Sequence, residues 1–523
     1  MDAALVFHEA TNHVAGFARD PRLLSFTRDE PANVPLTFKE YRGLPTIQLE
    51  LAPPSREASR AVDVLSRRGF EHRPFDAKAL ARVLAFSAGI TRVIERGGRK
   101  RYMRAASSAH SYPDIYVISG PLDGIAAGVY YFHGLDLTLT RLRQGDYRPA
   151  LAAATADPSI ARRSASLVIV GVPWRAAWHY GERALRHVYW DTGGLLANIL
   201  AVSGADGVAA GIMLAFVDAD VARLVGVDGV QQFPVAVATF GAQVGSASAM
   251  PIVAPLTTPD PPLTAGAPTV FPLIRDAHSS GSLSDPDAVL RWRSARARAG
   301  IRPPSFEVAT PSDRERSLED VILWRGSARK MTLESLPRAA LDWPLRVATQ
   351  PPPGDWLDRG TTLLDHRIVV HAVDGMSAGV YRLGADGFEL VRAGDFRHEA
   401  RHVSLDQPQG GDGAYATFHF ADLERVSAAL GPRGYRAAQV ESGYVLERLH
   451  LAAYALEVGA TGLTFFDDAV ASLCGVKTSV MTEVAVGRTA YRAKRGGLGK
   501  DATTIPGRAF DLWQERMREL NLT

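Results

Sequence analysis

Two short stretches carry residues whose types and spacing could do chemistry. The first is Arg325-Gly-Ser-Ala-Arg329. On an extended chain its alternate positions Arg325, Ser327 and Arg329 point one way, presenting two guanidinium forks and a hydroxyl, a set suited to a phosphate. As a bare pattern it is equally a solvated basic turn, and the same two readings hold for Lys494-Arg495 near the C-terminus. The second stretch is Ala106-Ser-Ser-Ala-His-Ser-Tyr-Pro113, whose Ser107, Ser108 and His110 could donate to the carbonyls and ring nitrogens of a flat heterocycle. Hydrolase, Walker and dinucleotide-binding signatures are absent, and the 14 histidines do not fall at metal-ligand spacings. Cys474 is the only cysteine, which excludes a disulfide framework and any multi-cysteine metal site. No metal is expected.

Composition narrows the class further. Apolar residues make up 46% of the 523 and charged residues 22%, the balance of an ordinary globular chain. A net charge of +3 is too small to suggest nucleic acid, and no basic run suggests an anionic membrane surface. The start, Met1-Asp-Ala-Ala-Leu-Val-Phe, has no basic, apolar leader, and the most apolar stretch, Leu195–Val217, is interrupted by polar residues and glycines. A cytoplasmic protein is expected.

The elements that must position these residues occur twice. Residues 183–218 align with 433–468 without a gap, matching Arg183 to Arg433, Arg186 to Arg436, Asp191 to Glu441, Gly193 to Gly443 and Asp218 to Asp468. Upstream, Asp123-Gly-Ile-Ala-Ala-Gly-Val-Tyr130 matches Asp374-Gly-Met-Ser-Ala-Gly-Val-Tyr381, and Gly145-Asp-Tyr-Arg148 matches Gly394-Asp-Phe-Arg397. Such ordered matches at a nearly constant offset predict a tandem duplication with units of about 250 residues. The expected units are 1–250, with an N-terminal extension over 1–60, and 273–523. The Pro-rich stretch 251–272, with seven prolines, would join them. Short β-branched strands at Ile115–Ser119 and Ile368–Val373, hairpins after Asp-Gly turns and long buried helices over 181–204 and 433–458 predict an α+β fold. The two copies differ where chemistry is concerned. Aligning Arg73 with Arg329 puts Glu71 where Ser327 stands, and the Ser-rich loop faces Asp358-Arg-Gly-Thr-Thr-Leu-Leu364.

These residues resemble the FMN-dependent nitroreductase superfamily, and more closely its SagB-type dehydrogenase branch. Arg325-x-Ser327-x-Arg329 is similar to the superfamily's phosphate-holding Arg-x-Ser-x-Lys/Arg strand. Ala106–Pro113 looks like its Pro-Ser-Ser-x-Asn-x-Gln-Pro loop, with His110 in the Asn position and the Tyr112-Pro113 ending of the SagB-type branch. Phe7-His-Glu-Ala-Thr11, the Gly-Val-Tyr hairpins and Tyr180-Gly-Glu-Arg183 with Arg186 also look like that branch. The resemblance implies a dimeric α+β fold with FMN at the interface, so a tandem chain would be a pseudo-dimer by itself. One flavin site would pair Arg325, Ser327, Arg329 and Lys494/Arg495 with Ser107, Ser108 and His110, with Thr464 and Phe465 near flavin N5. The other would pair Arg67, Arg68 and Arg73 with Asp358–Leu364 and would be lost, leaving one FMN per chain. Azoline-oxidising relatives carry a Lys-Tyr pair where this chain has His179-Tyr180, which would make either residue the catalytic base.

Three functions follow from the resemblance. One is oxidation of a modified peptide or carrier-bound intermediate, such as azoline to azole, alongside other biosynthetic enzymes. Another is NAD(P)H-dependent reduction of nitro compounds or quinones. A flavin-free scaffold subunit is the third.

Overall fold

The computed structural model describes residues 2–14, 16, 19–25, 33–51, 59–67, 73–96, 99–107, 110–243, 247–257 and 260–506. Among the described residues, nine strands lie in the first half: β1 (Thr46–Gln48), β2 (Ile90–Arg96), β3 (Arg99–Arg104), β4 (Asp114–Ser119), β5 (Gly128–His133), β6 (Thr138–Gln144), β7 (Ala165–Gly171), β8 (Ala210–Met213) and β9 (Phe233–Phe240). The second half adds β10 (Leu364–Val370), β11 (Gly379–Gly384), β12 (Gly387–Ala393), β13 (Tyr415–Ala421), β14 (Gly459–Leu463), β15 (Ser479–Gly487) and β16 (Thr503–Pro506). The first sheet runs β1-β6-β5-β4-β7-β9-β8 and the second β12-β11-β10-β13-β15-β14. Apart from β1, the two orders are the same walk through equivalent strands. The mixed helix and sheet content agrees with the α+β expectation.

Both sheets are covered on both faces, which explains their strand composition. In β4, Ile115 and Val117 enter the main core while Tyr116 and Ile118 enter a smaller cluster with Val168, Val170 and Val237 on the other side. A strand buried this way needs apolar or small residues along its length, as Ala165–Gly171 has, with Ser166 its one polar side chain. A third sheet, β16-β2-β3, pairs the second half's last described strand in parallel with the first half's β2.

Two long helices, Ala184–Ala205 and Arg433–Ala455, cross at the centre. At the crossing neither helix has room for a side chain. A Cβ on Gly193 would lie 2.1 Å from the Val440 carbonyl oxygen, and one on Gly443 would lie 2.2 Å from that of Trp190. The matched glycines are thus a contact between backbones.

Matched ion clusters flank the crossing. Asp467 takes Arg183 Nη1 at 2.9 Å and Arg186 Nη1 at 2.7 Å, and accepts the His13 N–H at 2.8 Å. Asp218 takes Arg433 Nη1 at 2.6 Å and Arg436 Nη1 at 3.1 Å, and accepts the Leu283 N–H at 2.9 Å. Each carboxylate belongs to one half and its arginines to the other. Asp467, and not Asp468, is therefore the partner of Asp218 in the repeat. Phe216 and Phe465 confirm the shift of one residue, lying under Arg433 and Arg183 respectively.

The N-terminal helix Ala3–Ala10 has a counterpart as well. Arg183 Nη1 donates to Thr11 O, just past that helix, and Arg433 Nη1 donates to Gly281 O, just past Pro272–Ser280. Each half thus opens with a helix that leads into its own cluster.

Two outcomes test this packing. Gly443→Ala must push two helix backbones apart and is expected to cost about 1–3 kcal/mol, read as a lowered midpoint of thermal unfolding. The second concerns buried histidines. His366 and His419 meet Nδ1 to Nδ1 at 2.8 Å, and His450 lies buried in the second long helix. Burial pushes His366 and His450 down to about 3 and His419 well below its ordinary value. The unfolded chain binds protons that the fold refuses. Stability is therefore full above pH about 6.5 and falls toward pH about 3, by about 1.4 kcal/mol per pH unit for each such histidine. Urea titrations across that window check the slope.

Candidate functional site

The loop carrying Ser107 and His110 is held from below by the first long helix. Asp191 accepts the Ser111 N–H at 3.1 Å and its hydroxyl at 2.5 Å. Arg104 donates to Pro113 O at 2.8 Å, and Arg175 to Tyr112 O at 2.5 Å. This fastening sustains strain, because His110 and Tyr112 have φ of 70° and 40°. Left-handed backbone at such side chains costs about 1–3 kcal/mol each and is concentrated at functional sites. Ser108 lies outside the described residues.

Arg325 caps the helix Leu318–Trp324 and crosses to this loop from the other half. Its Nη1 donates to Ser107 Oγ at 3.0 Å, and its Nε and Nη2 donate to Ala105 O at 3.1 and 2.9 Å. Glu447 of the second long helix lies 3.3 Å from Arg325 Nε and accepts the Ser107 N–H at 3.1 Å. A guanidinium engaged in this way is not a free phosphate fork. Arg325, placed by its sequence pattern beside Ser327 and Arg329 as an anion ligand, turns inward and binds the two halves together. The chain there belongs to no strand. Glu447, which the sequence reading missed, stands where the first half has Ala197.

Ser327 is half-buried and Arg329 is solvent-accessible. Arg329 nevertheless sits deep among protein atoms, since burial lowers its pKa and the Tyr491, Tyr180 and Tyr454 phenols act on it. An accessible side chain with walls on several sides lines a cleft. Its backbone is fixed from both sides, the N–H donating to Tyr491 Oη at 3.0 Å and the carbonyl accepting Gln409 Nε2 at 2.7 Å. Arg92, from β2, donates to Arg325 O at 2.8 Å and Lys494 O at 2.9 Å, bringing the C-terminal basic segment alongside. Lys494 is exposed, whereas Arg495 Nε is paired with Asp320 at 2.8 Å.

The first half supplies the opposite wall. The His110 ring lies 4.7 Å from His179 and 6.3 Å from Tyr180, the last residue of the helix Pro173–Tyr180. Burial, followed by the charges of Arg101, His179, His187 and Arg329, holds His110 well below its ordinary value and keeps it neutral. Tyr180 stacks on His187 at 4.0 Å, His187 meets Trp190 edge-on at 4.8 Å, and Trp190 lies 6.4 Å from Phe465. This aromatic row joins the expected catalytic pair to the turn at Thr464–Phe465. Phe465 itself is fully buried, and Thr464 O accepts Gln407 Nε2 at 3.1 Å. His187 also escaped the sequence reading; its signal was the buried face it shares with Arg183 and Trp190 on one helix.

In the converse pairing of halves the chain lies along the edge of β8, beside a cavity of about 300 Å³ lined by Ile212, Met213, Arg293, Pro353 and Asp355. Ile212 N donates to Pro353 O at 3.1 Å, and Asp355 N donates back to Ile212 O at 3.2 Å. Asp355 then accepts the backbone N–H groups of Leu214 at 2.7 Å and Ala215 at 3.2 Å. These lie on the turn that corresponds to Thr464–Phe465. Glu441 holds the Asp358–Leu364 loop through the Leu363 N–H at 3.1 Å, as Asp191 holds its own loop, and accepts Nε1–H of Trp356, just before that loop, at 3.2 Å. Arg67 Nη1 is 3.4 Å from Gly204 O, and Arg73 N donates to Gly207 O at 3.0 Å. Arg68 and Glu71 lie outside the described residues.

With this geometry in hand, likeness to known proteins decides the fold. No family model matches the chain. A crystallised protein of Anabaena variabilis assigned as a nitroreductase superposes with a TM-score of 0.72 at 26% identity, covering 94% of this chain and 100% of its own. The fold is nitroreductase-like. A Methanocaldococcus jannaschii protein, likewise assigned as a nitroreductase, is 26% identical over 197 residues, 35% of this chain and 97% of the relative. The Escherichia coli microcin synthetase McbBCD complex, solved with truncated pro-MccB17 bound, matches 38% of this chain at a TM-score of 0.29 and 16% identity. The chain is thus a relative of nitroreductases, which places it among oxidoreductases. Among the described residues no helix is long and apolar enough to cross a membrane.

The cleft fits the cofactor that this kinship implies. Arg329 and Lys494 bring positive charge and Ser327 a hydroxyl, as a phosphate requires. Exposed Gly462 leaves the edge of β14 open for a flat ring beside Thr464. Arg325 and Ser327 should separate by function. Arg325→Ala abandons buried Glu447 and is expected to destabilise even the cofactor-free chain by about 3 kcal/mol. Ser327→Ala should stay within about 0.5 kcal/mol of wild type. Thermal unfolding of flavin-free protein measures both.

Proposed function

We propose that the chain is an FMN-dependent dehydrogenase of the SagB-type kind, built from two tandem nitroreductase-like units, 1–250 and 273–523, joined by 251–272. The units pair as an intramolecular pseudo-dimer holding one flavin. The observation that carries this reading is the asymmetry of the two equivalent clefts. One gathers Ser327, Arg329 and Lys494 opposite Ser107, His110, His179 and Tyr180. In the other, Asp355 takes the backbone N–H groups of Leu214 and Ala215.

In this reading Ser327, Arg329 and Lys494 hold the FMN phosphate, with Arg495 at its margin. Ser107 and His110 border the ring, and Thr464 and Phe465 approach N5. Bound FMN supplies a hydride acceptor. The chain's task is to orient the substrate C–H and take the accompanying proton at His179 or Tyr180. His110, neutral and 4.7 Å from the His179 ring, adds no charge to oppose protonation of that imidazole. Loss of one hydride and one proton converts an azoline to an azole, and a peptide or carrier-bound azoline is the proposed substrate. The nitroreductase relatives support a second reading, reduction of nitro compounds or quinones by NAD(P)H.

An absorbance spectrum of the purified chain should show flavin at a ratio near one per chain. A ratio near two would refute the asymmetric assignment, and none at all would favour a scaffold. A synthetic thiazoline peptide should then lose two hydrogens by mass, and His179→Ala or Tyr180→Phe should slow this by about 100-fold or more. Fast bleaching by NADPH with no thiazoline oxidation would establish the reductase instead.

A further inference from the structure

Beneath the turn at Thr464–Phe465 lies a carboxyl group that no role above uses. Glu483 is on β15, opposite Leu463 of β14 and Phe418 of β13. It is fully buried, and no described cation pairs with it. Its Oε1 lies 2.5 Å from Ser404 Oγ, and its Oε2 has no hydrogen-bond partner among the described residues.

Proton counting leaves two directions for the first contact, Ser404 donating to Glu483 or Glu483 donating to Ser404. The Ser404 hydroxyl has one hydrogen, and Ala400 O, one helical turn back, lies 2.6 Å away to receive it. If Ser404 donates there, only Glu483 can donate across the 2.5 Å contact, as a neutral carboxylic acid. Burial agrees, pushing Glu483 up to about 8.

From Ser404 the contacts run to the turn. Gln407 Nε2 bridges Ser404 O at 2.9 Å and Thr464 O at 3.1 Å. Phe466 N donates to Val403 O at 2.8 Å. In the first half the same backbone contact is made by Val217 N to Ala154 O, and Thr155 stands for Ser404. There Val237, opposite Met213, replaces Glu483. The acid is therefore present only under the turn that faces the open cleft.

We propose that Glu483 is a positioning residue of the cofactor site, whose protonated carboxyl, through Ser404 and Gln407, holds the Thr464–Phe465 turn in place, and whose ionisation releases it. The reference to a cofactor rests on the flavin reading above. The other ionisable groups packed in this region are Cys474, from the helix Asp467–Cys474, and Arg367 and Arg392, which act on Cys474 together with Glu483. Arg367 is paired with Asp365, and Arg392 donates to Leu473 O. The Cys474 thiol is itself pushed up by burial and stays neutral where Glu483 titrates.

The sign is opposite to that of the buried histidines. Folding raises the Glu483 pKa, so the folded chain holds a proton that the unfolded chain releases. Its contribution to stability is full below pH about 4.3 and is lost as pH rises to about 8.

Three measurements on the full chain test the proposal. Infrared spectra of wild type near neutral pH should contain a protonated-carboxyl band that Glu483→Gln removes. The protection factor of the segment 460–468 in flavin-free protein, its exchange taken relative to the base-catalysed intrinsic rate at each pH, should fall about tenfold from one unit below pH 8 to one unit above it in wild type only. FMN affinity of wild type should weaken by a similar factor over the same range, and stay flat in Glu483→Gln, whose amide can still donate to Ser404. An ionised carboxyl at neutral pH, or an equal pH dependence in the variant, would overturn the role. A wild-type chain that binds no FMN would sink the flavin reading alone, since the infrared band and the exchange step still decide whether Glu483 holds the turn.

Discussion

Everything in this molecule depends on two helix backbones that touch. At Gly193 and Gly443 the long helices approach so closely that a single methyl group on either would strike a carbonyl oxygen of the other. Contact at that range is achieved only if both halves are held in one orientation, and the flanking charges supply that restraint. A buried aspartate of one half receives two buried arginines of the other, on each side of the crossing. Burying such ions is costly, and their mutual attraction only offsets the cost when hydrogen bonds are well aligned. Backbone groups complete both clusters, with Thr11 O and the His13 N–H at one and Gly281 O and the Leu283 N–H at the other. The arrangement fixes register more than it adds net stability.

Once the crossing is fixed, two clefts are fixed with it, and the segment before each held loop decides their fates. In the first half, residues 99–104 leave as β3 to join β2 and β16. The corresponding residues of the second half, Pro351–Asp355, fold over β8 instead, and Asp355 caps the turn there. One segment choosing between two neighbours makes the two junctions of a symmetric frame unequal. In the proposed pseudo-dimer a covalent pair permits this, because each unit changes separately, whereas a homodimer must change both clefts at once.

The sequence was most readable where geometry leaves few options. Gly193 and Gly443, Arg183 and Arg433, Arg186 and Arg436, and the acids Asp191 and Glu441 all show in the repeat because both copies need them for the same contact. The long helices and both Asp-Gly hairpins were legible for the same reason. Asp467 was assigned one residue late, since the turn before it is one residue shorter than that before Asp218 and a gapless alignment cannot show this. The correspondence between the helices Ala3–Ala10 and Pro272–Ser280 was invisible, because connecting segments of different length break the constant offset. Side-chain direction was harder still. Arg325 reads as an anion ligand from its neighbours in sequence, yet the residues that turn it inward, Ser107, Ala105 and Glu447, come from more than one hundred positions away.

The same comparison locates function without any alignment of relatives. Where both halves carry one residue type, the position serves the frame; where only one half carries a polar group, the frame does not require it. His110, His179, Tyr180 and His187 face Thr361, Ala429, Leu430 and Ala437 at the matching positions, and Glu483 and Glu447 face Val237 and Ala197. Except at His110, whose match Thr361 is itself polar, an apolar residue suffices for the same packing, so the buried polar group must be offset by something other than folding. All six cluster around one cleft and the turn below it. Strain follows the same rule: His110 and Tyr112 are left-handed without being glycine, while the matching loop places Gly360 at its left-handed position. The half that could relax has done so, and the half that remains strained is the one whose loop faces Arg329.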